Sequence, residues 1–262
     1  YVELVERAAL KWTAWQERSG TQFYHQPGLF KVLREFEPGT PMYESVKFVR
    51  GRGGDIKVLS PREARKLFPQ FVIKDDELAV YDPWSGYLES GRAVSYMAEM
   101  AREEGVRILE STPVLRVEDG TAGATVVAES GPHVFDRVIV AAGVWTGRLL
   151  PQLGSGLAVT HQQMVLIEVE NTDLFARGTM PVWSFNTSGE LWYGFPLLRE
   201  GYVKVSNDQV GEVVDADFDR RGTPEFVEWA MEFLRERIPE MAKGKVVDCL
   251  SCLFAITPDD HF

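Results

Sequence analysis

Apolar residues recur at spacings of three and four near the start of the chain. Val2, Leu4, Val5, Ala8, Ala9, Trp12 and Trp15 form one stripe, which predicts an amphipathic helix over residues 1–19 stopped at Gly20. Residues 23–33 then read as strand with a Pro27-Gly28 turn inside it. Ser60-Pro61-Arg62-Glu63 has capping-box form with proline at the first helical position, so a short helix opens there and ends near Pro69. Residues 82–86 carry loop chemistry, and residues 91–104 form a second helix ending at Gly105.

From residue 106 the pattern shortens to strands over 106–109, 114–118, 124–128 and 134–141, joined by turns bearing glycine and aspartate. The helix over 91–104 followed by the strand over 106–109 is half of a βαβ unit and predicts a parallel sheet. Residues 143–146 break the last strand, and 147–153 form a short helix. Longer strands rich in β-branched and aromatic residues follow over 159–170, 181–185, 191–196 and 202–206, and their turns suit an antiparallel meander. Thr223-Pro224 caps a helix with Phe226, Ala230, Phe233 and Leu234 on one face, and a last apolar strand covers 246–256. The reading is mixed α/β, a nucleotide-type layer woven through an antiparallel one, with no internal repeat.

Charge narrows the partners. Lys and Arg number 28 against 39 Asp and Glu, a net charge of −11, which argues against a protein that covers nucleic acid or an anionic membrane. The longest apolar stretch, residues 138–144, is the length of a strand and far below the roughly 18 residues of a membrane span. Two cysteines cannot form a disulfide framework for 262 residues. They stand as Cys249-Leu250-Ser251-Cys252, and no metal site is expected, because the four histidines show no ligand spacing. Taken alone, the pair reads as buried or incidental thiols in a strand.

Other motifs weigh less. Gly51-Arg52-Gly53-Gly54 lacks the third glycine of a dinucleotide loop, having Ile56 there, and reads as a surface turn. No GxSxG occurs, and Asn186-Thr187-Ser188 has sequon form but suits a hairpin turn. Residues 137–143, RVIVAAG, are stronger: an apolar run ending in small residues describes a buried parallel strand whose C-terminal end admits a ligand, and a plain buried strand with a tight turn is the alternative. An edge position in an antiparallel hairpin would undo that reading. The chain starts at Tyr1 within a helical pattern and stops at Phe262 without a polar tail, so an internal portion of a longer protein is expected.

Residues 137–150, RVIVAAGVWTGRLL, resemble the late flavin-binding segment of the D-amino acid oxidase superfamily of FAD enzymes, and most closely its monomeric sarcosine oxidase and N-methyl amino acid oxidase branch. SPREARKLFP from Ser60, YDPWSGYLES from Tyr81, WYGFPLLREGYVK from Trp192 and CLFAITPDDHF from Cys252 extend the resemblance, in order, over nearly the whole chain. The resemblance implies an α/β fold in which a Rossmann-like FAD/NAD(P)-binding layer interweaves with an antiparallel-sheet substrate domain.

It also implies roles. The family joins FAD covalently through the flavin 8α-methyl group to the Cys that opens C-x-[YF]-x-x-[ST]-x-D-[DE]-x-F. Cys252 holds that position, with Phe254, Thr257, Asp259, Asp260 and Phe262 in step, which overturns the bland reading of the thiol pair. Lys204 matches a lysine that promotes the reaction of reduced flavin with oxygen, where a fixed cation stabilises developing superoxide. Tyr193 matches an aromatic residue flanking the substrate amine, and Val114 the residue whose backbone meets the adenine of FAD. Ala142, Gly143 and Trp145 lie in the flavin-binding segment. The sequence departs from the family at Asp208, where a histidine is expected four residues beyond the lysine. The family's opening GxGxxG unit and closing flavin loop have no counterpart and are expected before Tyr1 and after Phe262.

These expectations describe an FAD-dependent oxidase of the C–N bond of a secondary or N-methylated amino acid, reoxidised by dioxygen to hydrogen peroxide. The portion at hand is expected to be inactive by itself. A dehydrogenase using another electron acceptor and a non-catalytic α/β interaction module are the alternatives. The FAD-binding lobe is expected to comprise 1–21, 76–156 and 237–262, and the substrate lobe 22–75 and 157–236. A monomer in the cytoplasm, or in peroxisomes if eukaryotic, with an amino acid or amine substrate and no membrane or nucleic-acid partner completes the expectation.

Overall fold

The stripe that begins the sequence winds into α1 (Val2–Ser19) in the computed structural model, which describes residues 2–121, 123–154, 156–187 and 189–259. Trp12 packs edge-on against Trp15 at 5.2 Å and Phe23 at 6.2 Å. The Gln16 side-chain oxygen accepts the N–H groups of Phe23 and Tyr24, both at 3.0 Å, and so fixes the chain after Gly20. The chain continues through β1 (Tyr24–His25), β2 (Leu29–Leu33), α2 (Pro41–Gly51), β3 (Lys57–Leu59), α3 (Pro61–Leu67), β4 (Leu78–Asp82), β5 (Tyr87–Leu88) and α4 (Ser90–Glu103). The capping box of α3 is formed on both sides, Glu63 N–H donating to the Ser60 hydroxyl and Ser60 N–H to the Glu63 carboxylate. Helix α2 was not expected, although Thr40-Pro41 is a helix opening by type.

Next come β6 (Val114–Gly120), β7 (Gly123–Ala128), β8 (Gly131–Phe135), the short helices α5 (Thr146–Leu149) and α6 (Pro151–Gly154), β9 (Ala158–Glu168) and α7 (Thr172–Phe175). The last elements are β10 (Val182–Asn186), β11 (Leu191–Phe195), β12 (Val203–Asn207), α8 (Pro224–Arg237) and β13 (Lys245–Ile256). Contacts divide the chain into two units. The first holds residues up to 100, 163–209 and 222–250; the second holds 101–162, 210–221 and those from 251 onward. Residues 1–21 and 76–100, read from the sequence as FAD-binding, thus share a unit with 22–75.

The first unit is built on an eight-stranded sheet ordered β13-β9-β12-β11-β10-β2-β4-β3. Strands β10, β11 and β12 form the antiparallel meander their turns predict, and β2 joins β10 in parallel. Alternation along the strands sends Val165, Ile167, Trp183, Trp192, Val203 and Val205 to one face, where α8 covers them with Phe226, Ala230 and Leu234. Each fully buried side chain of this kind contributes about 1.5–3 kcal/mol. Phe233 stacks on Trp192 at 4.8 Å and on Trp183 at 6.0 Å. Gly194 faces Trp183 across the β10–β11 ladder, and a Cβ there would run into the indole and the Lys204 carbonyl.

A buried ion pair locks α8 to the segment before β4. Arg237 donates to both oxygens of Glu77, with side-chain exposures of 4% and 0%, and also to the Thr187 hydroxyl at 2.9 Å. Its guanidinium lies 5.2 Å from the centre of the Phe185 ring.

In the second unit, β6, β7 and β8 make a three-stranded antiparallel sheet. Two sequence expectations fail here. Residues 106–109 form no strand; the Val106 N–H bonds back to the Ala101 carbonyl and closes α4 instead. Of residues 134–141, only Val134 and Phe135 are in a strand, and that strand is the edge of an antiparallel hairpin. Residues 137–142 leave the sheet, and Ile139 is 92% exposed. A ladder needs a neighbour for every second amide, and among the described residues neither segment has one. No parallel pair forms in this unit among the described residues.

Candidate active site

Pleat geometry gathers two of the predicted residues. In β11, Trp192 and Gly194 face the core, so Tyr193 and Phe195 face the other way; in β12, Val203 and Val205 face the core and Lys204 points with Phe195. Phe195 and Lys204 are direct cross-strand partners. The Lys204 ammonium lies 5.5 Å from the centre of the Phe195 ring, and the Tyr193 ring meets that ring edge-on at 6.2 Å. Among the described residues no carboxylate forms an ion pair with Lys204. The lysine opens into a cavity of about 290 Å³ whose walls include Met164, Leu166, Phe195, Leu198 and Tyr87. That volume lies at the small end of ligand pockets, roughly 300 Å³.

A charged cluster missed in the sequence lies beside this cavity. The short β1–β5 ladder sets His25 opposite Tyr87, with ring centres 5.1 Å apart. The His25 Nε2 is 2.7 Å from the Glu89 carboxylate, and the Arg177 guanidinium is 2.7 Å from Nδ1. A guanidinium only donates, so Nδ1 accepts and the imidazole is the neutral Nε2–H form that donates to Glu89. Burial lowers the His25 pKa; the Glu89 hydrogen bond opposes this, and Arg177 reinforces it. Burial alone would raise the Glu89 carboxyl, but hydrogen bonds from His25 and Arg92 outweigh it and hold the group below its usual range. A lone histidine carries no ligand spacing, so only YDPWSGYLES, which contains Tyr87 and Glu89, marked this region in the sequence.

The remaining predicted residues lie elsewhere in the chain. Cys252 is a half-buried free thiol on β13. Cys249 packs against the core beside Gly222, and burial, with Asp248 second, pushes its thiol up to about 11. Val114 opens β6 opposite Ala128, next to an irregularity in the ladder. Ala142 precedes a 3₁₀ turn over Gly143–Trp145, and Gly143 adopts φ +53°, with no atom near the position a Cβ would take. Because the strand before them is not formed, Ala142 and Gly143 do not end a buried parallel strand. Their flavin assignment keeps only its sequence resemblance. The Trp145 indole donates to Asp217 at 2.9 Å, beneath the Arg220 guanidinium at 5.6 Å, and Arg148 bridges Asp217 and Asp215. Hydrogen bonds from Trp145 and then Arg148 lower the Asp217 carboxyl. Asp208 N–H bonds to the Leu191 carbonyl at 2.9 Å. Asp260 and Phe262 of the Cys252 motif lie outside the described residues.

The donor set is compatible with a flavin. Among the described residues, an ammonium without a carboxylate partner and a buried phenol without a hydrogen-bond partner line one cavity of the first unit; Cys252, in the second unit, is a free thiol able to form a thioether. The family described as DAO, FAD dependent oxidoreductase, matches residues 1–262. An N-methyl-L-tryptophan oxidase of Yersinia pestis (strain Pestoides F) is 26% identical over 274 residues, covering 100% of this chain and 70% of the relative. The L-proline dehydrogenase from P. horikoshii shares the fold with a TM-score of 0.80 at 20% identity, over 97% of this chain and 67% of that one. The glycine oxidase from Geobacillus kaustophilus does so with a TM-score of 0.78 at 20% identity, over 98% and 67%.

Proposed function

The chain belongs to the DAO family of FAD-dependent oxidoreductases, and on that premise we propose that the whole protein oxidises the C–N bond of a secondary or N-methylated amino acid, with dioxygen as final acceptor and hydrogen peroxide as product. The observation that carries the reading is Lys204, a cation without a carboxylate partner among the described residues, opening into a cavity beside Phe195. The similarity to N-methyl-L-tryptophan oxidases supports an N-methylated substrate.

Bound FAD supplies the two-electron redox chemistry. Cys252 is the residue assigned to hold it covalently, with Val114, Ala142, Gly143 and Trp145 as further contacts. Lys204 supplies a fixed positive charge, which stabilises negative charge developing on oxygen. Tyr193 flanks the amine. FAD binding is assigned to 1–21, 76–156 and 237–262 and substrate binding to 22–75 and 157–236, with residues 87–92 contributing to the cavity from the former.

The test is Lys204→Met in the full-length protein. A loss of about 3 kcal/mol would slow oxygen-dependent reoxidation roughly a hundredfold, with a much smaller change in anaerobic reduction by the amine. Equal slowing of both half-reactions, followed by stopped flow, would remove Lys204 from the oxygen step. The likeness to L-proline dehydrogenase favours a second reading, electron transfer to another acceptor. Substrate-dependent bleaching without oxygen uptake by the wild type would select it.

A further inference from the structure

The phenol of Tyr87 is a buried polar group among the residues that line the Lys204 cavity. Tyr87 is 8% exposed, its ring held between His25 at 5.1 Å and Phe195 at 5.5 Å. Its hydroxyl has no hydrogen-bond partner among the described residues. A buried hydroxyl left unpaired costs about 1–3 kcal/mol, so its retention on the wall of a ligand-sized cavity points to a partner that arrives with the ligand.

The surroundings define that partner. Burial is the main cause that raises the phenol's pKa; Arg177 lowers it, and Glu89 and Glu200 raise it further. The group is therefore a neutral hydroxyl whose lone pairs are free to accept. Glu200 lines the same cavity and makes no hydrogen bond or ion pair among the described residues. With the Glu200 carboxylate lining the cavity as an acceptor for the phenol proton, an N–H donor finds oxygens free to accept it, while Lys204 and Arg92, which line the same cavity, suit a carboxylate. Beside the charged Glu89, Arg92 and Lys204, the cavity has apolar wall from Met164, Leu166, Phe195 and Leu198, which suits a large apolar body rather than a bare methyl group.

We infer that Tyr87 is a specificity-determining residue that accepts a hydrogen bond from an N–H on the side chain of a bulky, largely apolar amino acid substrate. The inference rests on the reading of the Lys204 cavity as the substrate site. Its test separates the two. Binding of N-methyl-L-tryptophan and of N-methyl-L-phenylalanine, which lacks the side-chain N–H, is measured by anaerobic calorimetry on the full-length protein with its flavin already reduced, and turnover is measured separately in air. The wild type is expected to bind the first at least about tenfold more tightly, because a site built around a hydrogen bond rejects an analogue that leaves it unmade. Tyr87→Phe is expected to bring the two affinities within about twofold by weakening only the first. It should unfold at the same temperature as the wild type or higher, since no internal bond is lost. A preference unchanged by the substitution, no preference in the wild type, or a lower unfolding temperature would overturn the inference. Discrimination in binding without turnover of either amine would uphold it while sinking the proposed oxidation.

Discussion

Two thiols three positions apart along one strand have different surroundings. Cys249 is wedged between Gly222 and the core, and its raised pKa leaves it a neutral thiol through the physiological range. Cys252 is half-buried on β13 beyond that wedge. Side chains three apart point to opposite faces of a strand, so only one can reach a given carbon of a flavin. In the full-length protein, Cys252→Ser is expected to abolish the covalent link, with the yellow colour lost from the acid-precipitated protein. Cys249→Ser should leave the colour in the pellet. Peptide mapping that finds flavin on Cys249, or on neither residue, would reverse the assignment. At this scale the sequence was most legible where neighbours in space are neighbours along a strand. Tyr193 and Lys204 share a face because alternation is a local rule. The Tyr87–His25 pair was illegible, since it depends on two-residue strands from distant parts of the chain meeting in one ladder.

Among the elements, α8 shows how a legible amphipathic pattern conceals an illegible polar one. Its apolar face was readable from Phe226, Ala230, Phe233 and Leu234, but Arg237, one turn further, resembles an ordinary basic residue at a helix end. Its buried partner Glu77 is 160 positions away. Removing one member leaves the other charged in surroundings that exclude water. Glu77→Ala is expected to destabilise the fold by about 3–5 kcal/mol, read as a fall in the denaturation midpoint without a change in slope. Replacing both partners by apolar residues of similar volume should recover much of that loss. The failed strands at 106–109 and 134–141 teach the same lesson from the other side. Their composition was right for strands, but a strand exists only with its neighbour, and no local pattern names the neighbour.

For the whole molecule, the buried imidazole predicts an acid limit to stability. The folded His25 pKa lies below its ordinary 6.5, so the unfolded chain binds the proton more readily. That contribution is complete above pH 6.5 and is lost as the pH falls through the lowered folded value. Glu89, held below its ordinary 4.5, adds a loss of the same sign at still lower pH. Unfolding temperature should therefore begin to decline just below pH 6.5 in the wild type and only near 4.5 in His25→Gln. Identical profiles from pH 4 to 8 would show that the imidazole is not the proton acceptor.

The released segment over residues 137–142 governs how these 262 residues behave as a colloid. An apolar run that joins no ladder among the described residues, with a nearly bare Ile139, is a template for strands of other molecules. The net charge of −11 opposes such encounters, but salt screens it over about 8–10 Å at physiological ionic strength. Light scattering should therefore detect association of the 262-residue chain that grows with added salt, and Ile139→Lys should suppress it. Scattering that ignored both salt and the substitution would mean that the segment finds its partner within its own molecule.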